Sequence, residues 1–137
     1  AAGDVVDPAS GAVVAGPPRG DRGFIRTSAW LREHPPQVGV GQSTTLAVVA
    51  TDAELTKPEA AKVARMAHDG LARAIDPVHT MLDGDTVFAL ATGAAGVRAD
   101  VTAVGAAAAT VLAEAVQAAV RAATSLAGLP AVRDLQA

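Results

Sequence analysis

The sequence predicts an α/β protein built in layers, and three observations carry that reading. Two short aliphatic runs, residues 46–50 and 86–92, have strand length and polar or turn-forming neighbours. Two longer stretches, 56–75 and 100–124, repeat apolar residues at three- and four-residue spacing. The types alternate as strand, helix, strand, helix, which suits either one βαβα unit of a parallel layered sheet or half of a sandwich. Two strands cannot bury two long amphipathic helices properly. More sheet is therefore expected from residues 1–40, from another chain, or from a segment outside this sequence.

With 137 residues the chain has the size of one domain. Half of it is hydrophobic, yet the aromatic residues are only Phe24, Trp30 and Phe88, so Ala, Val and Leu must make a closely packed core. A net charge of −3 without a basic stripe argues against a nucleic-acid partner. The apolar run from Val101 to Val120 contains Glu114 and Gln117 and is flanked by Arg98, Asp100 and Arg121. That pattern predicts a soluble helix, not a membrane span. The absence of cysteine excludes disulfides and thiolate metal sites and fits a cytoplasmic location.

Taken in order, residues 1–23 are dense in turn signals (Asp7-Pro8, Ser10-Gly11, Gly16-Pro17-Pro18, Gly20 to Gly23) and read as a surface excursion. Ala1 to Pro8 reads as a strand end running into a turn, with no signal peptide, so the sequence is expected to begin inside a fold. Residues 24–34 form a brief helix or irregular segment, which Pro35-Pro36 stops. Gly39 and Gly41 make a pliable approach to Ser43. The uninterrupted run 46–50 then predicts a strand buried on both faces. Thr56 as N-cap, Pro58 in the first turn and Glu59 at the capping-box position start a helix to about Ile75, with Val63, Met66, Ala67, Leu71 and Ala74 facing the core. Asp76-Pro77 ends it. A second buried strand covers 86–92, and Asp100 or Thr102 caps the last helix, whose stripe is Val101, Val104, Ala108, Val111, Leu112, Ala115, Ala119 and Val120. Gly105 costs this helix about 1 kcal/mol against Ala, which predicts the close approach of another backbone. Gly128-Leu129-Pro130 stops it and leaves a short tail with Arg133 and Asp134.

Three places can carry chemistry. Ser43, Thr44 and Thr45 put hydroxyls at the entrance of a rigid strand, where a nucleophile could sit and where ordinary turn chemistry is equally at home. His68 and His79 have no further ligands at metal spacing and read as scaffold or surface residues. Asp83 and Asp85 form an acidic turn that can assist proton transfer or simply be solvated; the remaining ligands of a calcium loop are missing. No metal or cofactor is expected.

The strings Thr44 to Asp52, Ala67 to Ile75, Pro77 to Thr80 and Asp83 to Gly93 resemble the L-aminopeptidase/D-esterase (DmpA-like) family of self-cleaving hydrolases. That family includes the nylon-oligomer hydrolase and β-peptidyl aminopeptidases. The likeness covers most of residues 44–130, with 9–43 variable. It implies a four-layer α/β/β/α sandwich of the type shared with ornithine acetyltransferases. It further implies a boundary at Ser43/Thr44, residues 1–43 ending an amino-terminal segment and 44–137 forming the carboxy-terminal one. By the same resemblance the precursor cuts itself between Ser43 and Thr44, and Thr44 becomes the nucleophile with its own α-amine as base. Asp83 and Asp85 then orient water or the Thr44 hydroxyl and hold the new ammonium group. A Lys and an Asn of the family's amino-terminal portion lie outside this sequence, so activity is expected to need that portion or its separate chain. The implied substrates are small peptides, amino-acid amides or esters, or ω-amino oligoamides, acted on by a homo-oligomer. Two other readings are a non-catalytic interaction module that uses an exposed sheet edge and an acyltransferase.

Overall fold

The structure, a computed structural model, describes residues 1–20, 23–34 and 43–135. The expectations for Pro35-Pro36 and for the Gly39 and Gly41 segment lie outside the described residues. The elements are β1 (Asp4–Val6), β2 (Val13–Ala15), α1 (Thr27–Glu33), β3 (Leu46–Thr51), α2 (Lys57–Ala74), β4 (Ile75–Asp76), β5 (Thr86–Ala91), α3 (Val101–Ala122) and α4 (Val132–Leu135). Mixed α/β architecture is thus present, with β3 and β5 paired in parallel and α2 crossing between them.

The two long helices form where the sequence places them. Glu59 reaches back to accept hydrogen bonds from the Thr56 N–H at 2.7 Å and the Thr56 hydroxyl at 2.8 Å, completing the capping box of α2. Asp100 caps α3 by accepting from the Ala103 N–H at 2.8 Å. Their apolar faces meet each other and one face of the β3/β5 pair. The core is Val63, Ala67, Leu71, Ile75, Val87, Ala108 and Leu112, with Ala47, Val49 and Ala89 of the strands packed against it. In α3 the buried stripe runs through Gly105, Ala108, Ala109, Leu112 and Ala113, whereas Val111 is exposed.

The predicted two-sided burial of the 46–50 strand does not hold. Side chains alternate across a strand, and here only one face is covered. Leu46 is 72% and Val48 67% exposed on β3, and Phe88 is 57% and Leu90 55% exposed on β5. The uninterrupted aliphatic run belongs to a strand with two apolar faces, of which the helices of this chain cover one. The other is a continuous open face.

The backbone approach expected at Gly105 occurs instead at Gly70. A Cβ on Gly105 would meet the side chain of Met66, whereas a Cβ on Gly70 would fall on the carbonyl oxygen of Ala109 in α3. Main chain cannot yield as a thioether can. Gly70→Ala is therefore expected to force α2 and α3 apart and lower stability by about 3 kcal/mol, with Gly105→Ala costing less, both read from denaturant midpoints.

Residues 1–23 are more than a surface excursion. β1 is the centre of a small antiparallel sheet in the order β2-β1-β4. Asp4, only 1% exposed, accepts from the Thr27 N–H at 2.8 Å and the Thr27 hydroxyl at 2.5 Å, which pins the start of α1 to this sheet. Ser28 donates to Asp76 of β4 at 2.9 Å and adds a second tie. At the other end, α3 stops at Ala122, ahead of Gly128-Leu129-Pro130. Its terminal carbonyls are met by Arg133 from α4, which donates to Ala123 at 2.8 Å and Ala122 at 3.0 Å.

Candidate active site

Beyond its first residue, the β3/β5 ladder continues backwards in the same register. Leu46 pairs with Thr86, and Ser43 forms an isolated parallel bridge with Asp83, so Thr44 stands opposite Gly84 and Thr45 opposite Asp85. The Ser43 N–H donates to the Leu82 carbonyl at 2.9 Å. The Ser43 carbonyl accepts from the Gly84 N–H at 2.8 Å, and the Thr45 carbonyl from the Thr86 N–H at 2.9 Å. The hydroxyl-rich step and the acidic turn, forty residues apart in sequence, are thereby one structure.

Strand alternation sorts the hydroxyls. Thr44 is exposed on the open face with Leu46 and Val48, while Ser43 and Thr45 are half-buried. The Thr45 hydroxyl oxygen is buried and has no hydrogen-bond partner among the described residues. Gly84 makes room for Thr44: a Cβ there would lie 3.0 Å from the Thr44 hydroxyl oxygen, tighter than ordinary contact.

The two carboxylates are committed to backbone and neighbours. Asp83 Oδ1 accepts from the Ala2 N–H at 2.7 Å, and Oδ2 accepts from the Thr80 N–H at 3.0 Å and hydroxyl at 2.7 Å. Burial is the largest single influence on this carboxyl and pushes its pKa up. The Thr80 hydroxyl and the Ala2 and Thr80 N–H groups together outweigh it, leaving the pKa below the usual Asp value. A lowered folded-state pKa stabilises the fold above the unfolded value near 3.9, and that contribution disappears as pH falls through the folded value. Asp83→Asn is therefore expected to weaken the fold at neutral pH and to flatten the loss of stability below about pH 4 in acid titrations followed by circular dichroism.

Asp85 has a side chain only 1% exposed. Its Oδ1 accepts from the Thr45 N–H at 2.8 Å and its Oδ2 from His79 Nδ1 at 3.1 Å. His79 Nε2 lies 3.3 Å from Nδ1 of His68 on α2. The two residues that read as scaffold in the sequence thus join the line leading to Thr45. Neither Asp83 nor Asp85 makes a hydrogen bond to the Thr44 hydroxyl among the described residues. Asp85 instead fixes the peptide that follows Thr44. The sequence offered no signal for the His79 contact, because it depends on a left-handed backbone at His79, φ 55°. Among the described residues no group of three or more His, Cys, Asp or Glu side chains is arranged to hold a metal ion.

Comparison with known proteins defines the family. An uncharacterized aminopeptidase of Mycobacterium tuberculosis is 45% identical over an alignment of 158 positions that takes in 98% of this chain and 45% of that protein. An uncharacterized aminopeptidase of Mycobacterium leprae is 55% identical over 101 positions, 64% of this chain and 28% of its own length. The 6-aminohexanoate-oligomer endohydrolase of Paenarthrobacter ureafaciens is 33% identical over 69 positions, 50% of this chain and 19% of that enzyme. Two of these relatives are named as aminopeptidases and one as an oligomer endohydrolase. The profile of peptidase family S58 matches residues 10–132, and the chain belongs to that family. The resemblance carried by the Thr44 and Asp83 strings is to this same family. The chain spans 45% of the length of the M. tuberculosis relative.

Proposed function

We propose that this chain carries the nucleophile of a self-processing amino-terminal-nucleophile hydrolase. Thr44 is freed by cleavage after Ser43, within a four-layer α/β/β/α sandwich completed by protein outside this sequence. The observation that carries the reading is the state of the Ser43–Thr44 bond. Its carbonyl oxygen already holds the Gly84 N–H at 2.8 Å, and the Thr44 hydroxyl is accommodated by the missing side chain of the same glycine.

In this mechanism the Thr44 Oγ adds to the Ser43 carbonyl carbon. Negative charge develops on the Ser43 oxygen, where the Gly84 N–H is already aimed. Collapse breaks the C–N bond, the Thr44 nitrogen takes up a proton, and the Ser43 acyl group is left as an ester on Thr44 Oγ. Water hydrolyses the ester to the Ser43 carboxylate and a free hydroxyl. The new α-amine, with an ordinary pKa of about 7.7–8.0, serves as the base that activates that hydroxyl toward substrate. Asp85 holds the Thr45 peptide fixed throughout. The open face bearing Leu46, Val48, Phe88 and Leu90 is where the second sheet of the sandwich would pack, and it brings any substrate pocket over Thr44.

The substrates are small amides: short peptides, amino-acid amides or oligoamides, the breadth suggested by the names of the aminopeptidase and oligomer-endohydrolase relatives. The exposed apolar face equally suits a non-catalytic module that pairs with a partner chain, but such a module has no use for a hydroxyl packed against Gly84. The test is the full-length protein assayed on amino-acid amides and short oligoamides. Release of free amine that depends on prior chain cleavage supports the proposal. Hydrolysis by an uncut chain contradicts it.

A further inference from the structure

Resting on that reading, we infer that His79, backed by His68, is a positioning residue for the self-cleavage step and sets its pH dependence through Asp85. The geometry forms one line. His68 Nδ1 is 3.3 Å from His79 Nε2, His79 Nδ1 is 3.1 Å from Asp85 Oδ2, and Asp85 Oδ1 is 2.8 Å from the Thr45 nitrogen. Thr45 is one peptide from the reacting hydroxyl. The line runs from solvent to the site, since the His79 side chain is 40% exposed and that of Asp85 1%.

The hydrogen-bond roles follow from the chemistry. A carboxylate only accepts, so His79 carries its proton on Nδ1. In the neutral ring Nε2 is then an acceptor, and His68 Nδ1 must donate to it. Adding one proton turns the contact around: His79 becomes a cation beside Asp85, and its Nε2–H donates to His68. A second proton puts two donors face to face and breaks the contact. The pair thus changes its grip on Asp85 with each proton it gains. The groups facing His79 are His68 from α2 and Asp85 from the turn before β5. Near His68 along α2 the other charges are Arg65, one turn earlier, and Asp69 beside it, while Asp83 is taken up by Ala2 and Thr80.

The backbone points the same way. His79 has φ 55°, in the left-handed region that residues other than Gly enter uncommonly and Asn, Asp and His enter most often, and in this conformation its ring reaches Asp85. Asn tolerates that conformation and offers an amide N–H near the position of Nδ1, but it does not titrate. It therefore separates positioning from protonation.

The experiment uses the full-length precursor. Wild type is expected to split at Thr44 with a rate that changes across a pH window. His79→Asn should keep the rate within a few-fold at neutral pH and lose that dependence, and His79→Ala should slow cleavage by roughly ten- to a hundredfold. A second readout does not need cleavage. In a Thr44→Ala precursor labelled with nitrogen-15 threonine, the Thr45 amide proton shift should move over the same pH window and stay flat when His79→Asn is added. Cleavage profiles or Thr45 shifts that are the same with and without His79→Asn overturn the role of His79 and leave self-cleavage standing. A wild-type precursor that never splits overturns the self-cleavage reading, while the Thr45 titration still decides the coupling to His79.

Discussion

Thr44→Ala is expected to leave the full-length protein as a single uncut chain whose amide hydrolysis falls by about 10⁴-fold or more, the scale of removing a nucleophile. Thr44→Ser should split and retain activity, because it keeps a hydroxyl on the β-carbon and the α-amine. Ser43→Ala should also split, because Ser43 supplies only its carbonyl, held by the Gly84 N–H. This trio separates the two neighbouring hydroxyls. If Ser43 were the attacking group, Ser43→Ala would block processing and Thr44→Ala would not. Intact mass measured after purification distinguishes these patterns directly. Folding is not the issue, since Thr44 is exposed and its side chain is absent from the core.

The second effect is expected at Gly84. Alanine there keeps the N–H that meets the Ser43 carbonyl, and the residue is not among the positive-φ glycines, so the backbone accepts the change. The new Cβ would nonetheless lie 3.0 Å from the Thr44 hydroxyl oxygen and push it out of line. The hydroxyl must give by a few tenths of an ångström, and since a full ångström of misplacement costs about 10²-fold in rate, this fraction of it costs roughly three- to tenfold. Gly84→Ala should therefore slow self-cleavage by about that smaller factor while the thermal midpoint stays within a few degrees of wild type. A large drop in thermal midpoint with unchanged cleavage would assign Gly84 to folding instead.

What could be read from the sequence were the features written in adjacent residues. Thr56 and Glu59 announce the start of α2, Asp100 that of α3, and the apolar spacing of Val63, Ala67, Leu71 and Ala74 names the face that is buried. Features set by pairing across the chain were not legible. The offset that puts Thr44 beside Gly84 depends on the β3/β5 register, which no local pattern states. The hairpin of β1 and β2 hid among turn signals because each strand is three residues long. The aliphatic run of β3 records two apolar faces without saying what covers them. Gly105 in the apolar stripe of α3 suggests a backbone contact that Gly70 makes instead, because spacing along one helix does not reveal where the neighbour comes closest. His79 looked inert because its link to Asp85 requires a left-handed backbone that only the folded chain displays.

The central claim is that the Ser43–Thr44 bond is built to be cut, and one measurement meets it head on. Purified full-length protein is analysed by intact mass spectrometry with sequencing of every amino terminus present. The account predicts two fragments, the second beginning at Thr44. A single intact chain that hydrolyses amides at full rate would contradict it.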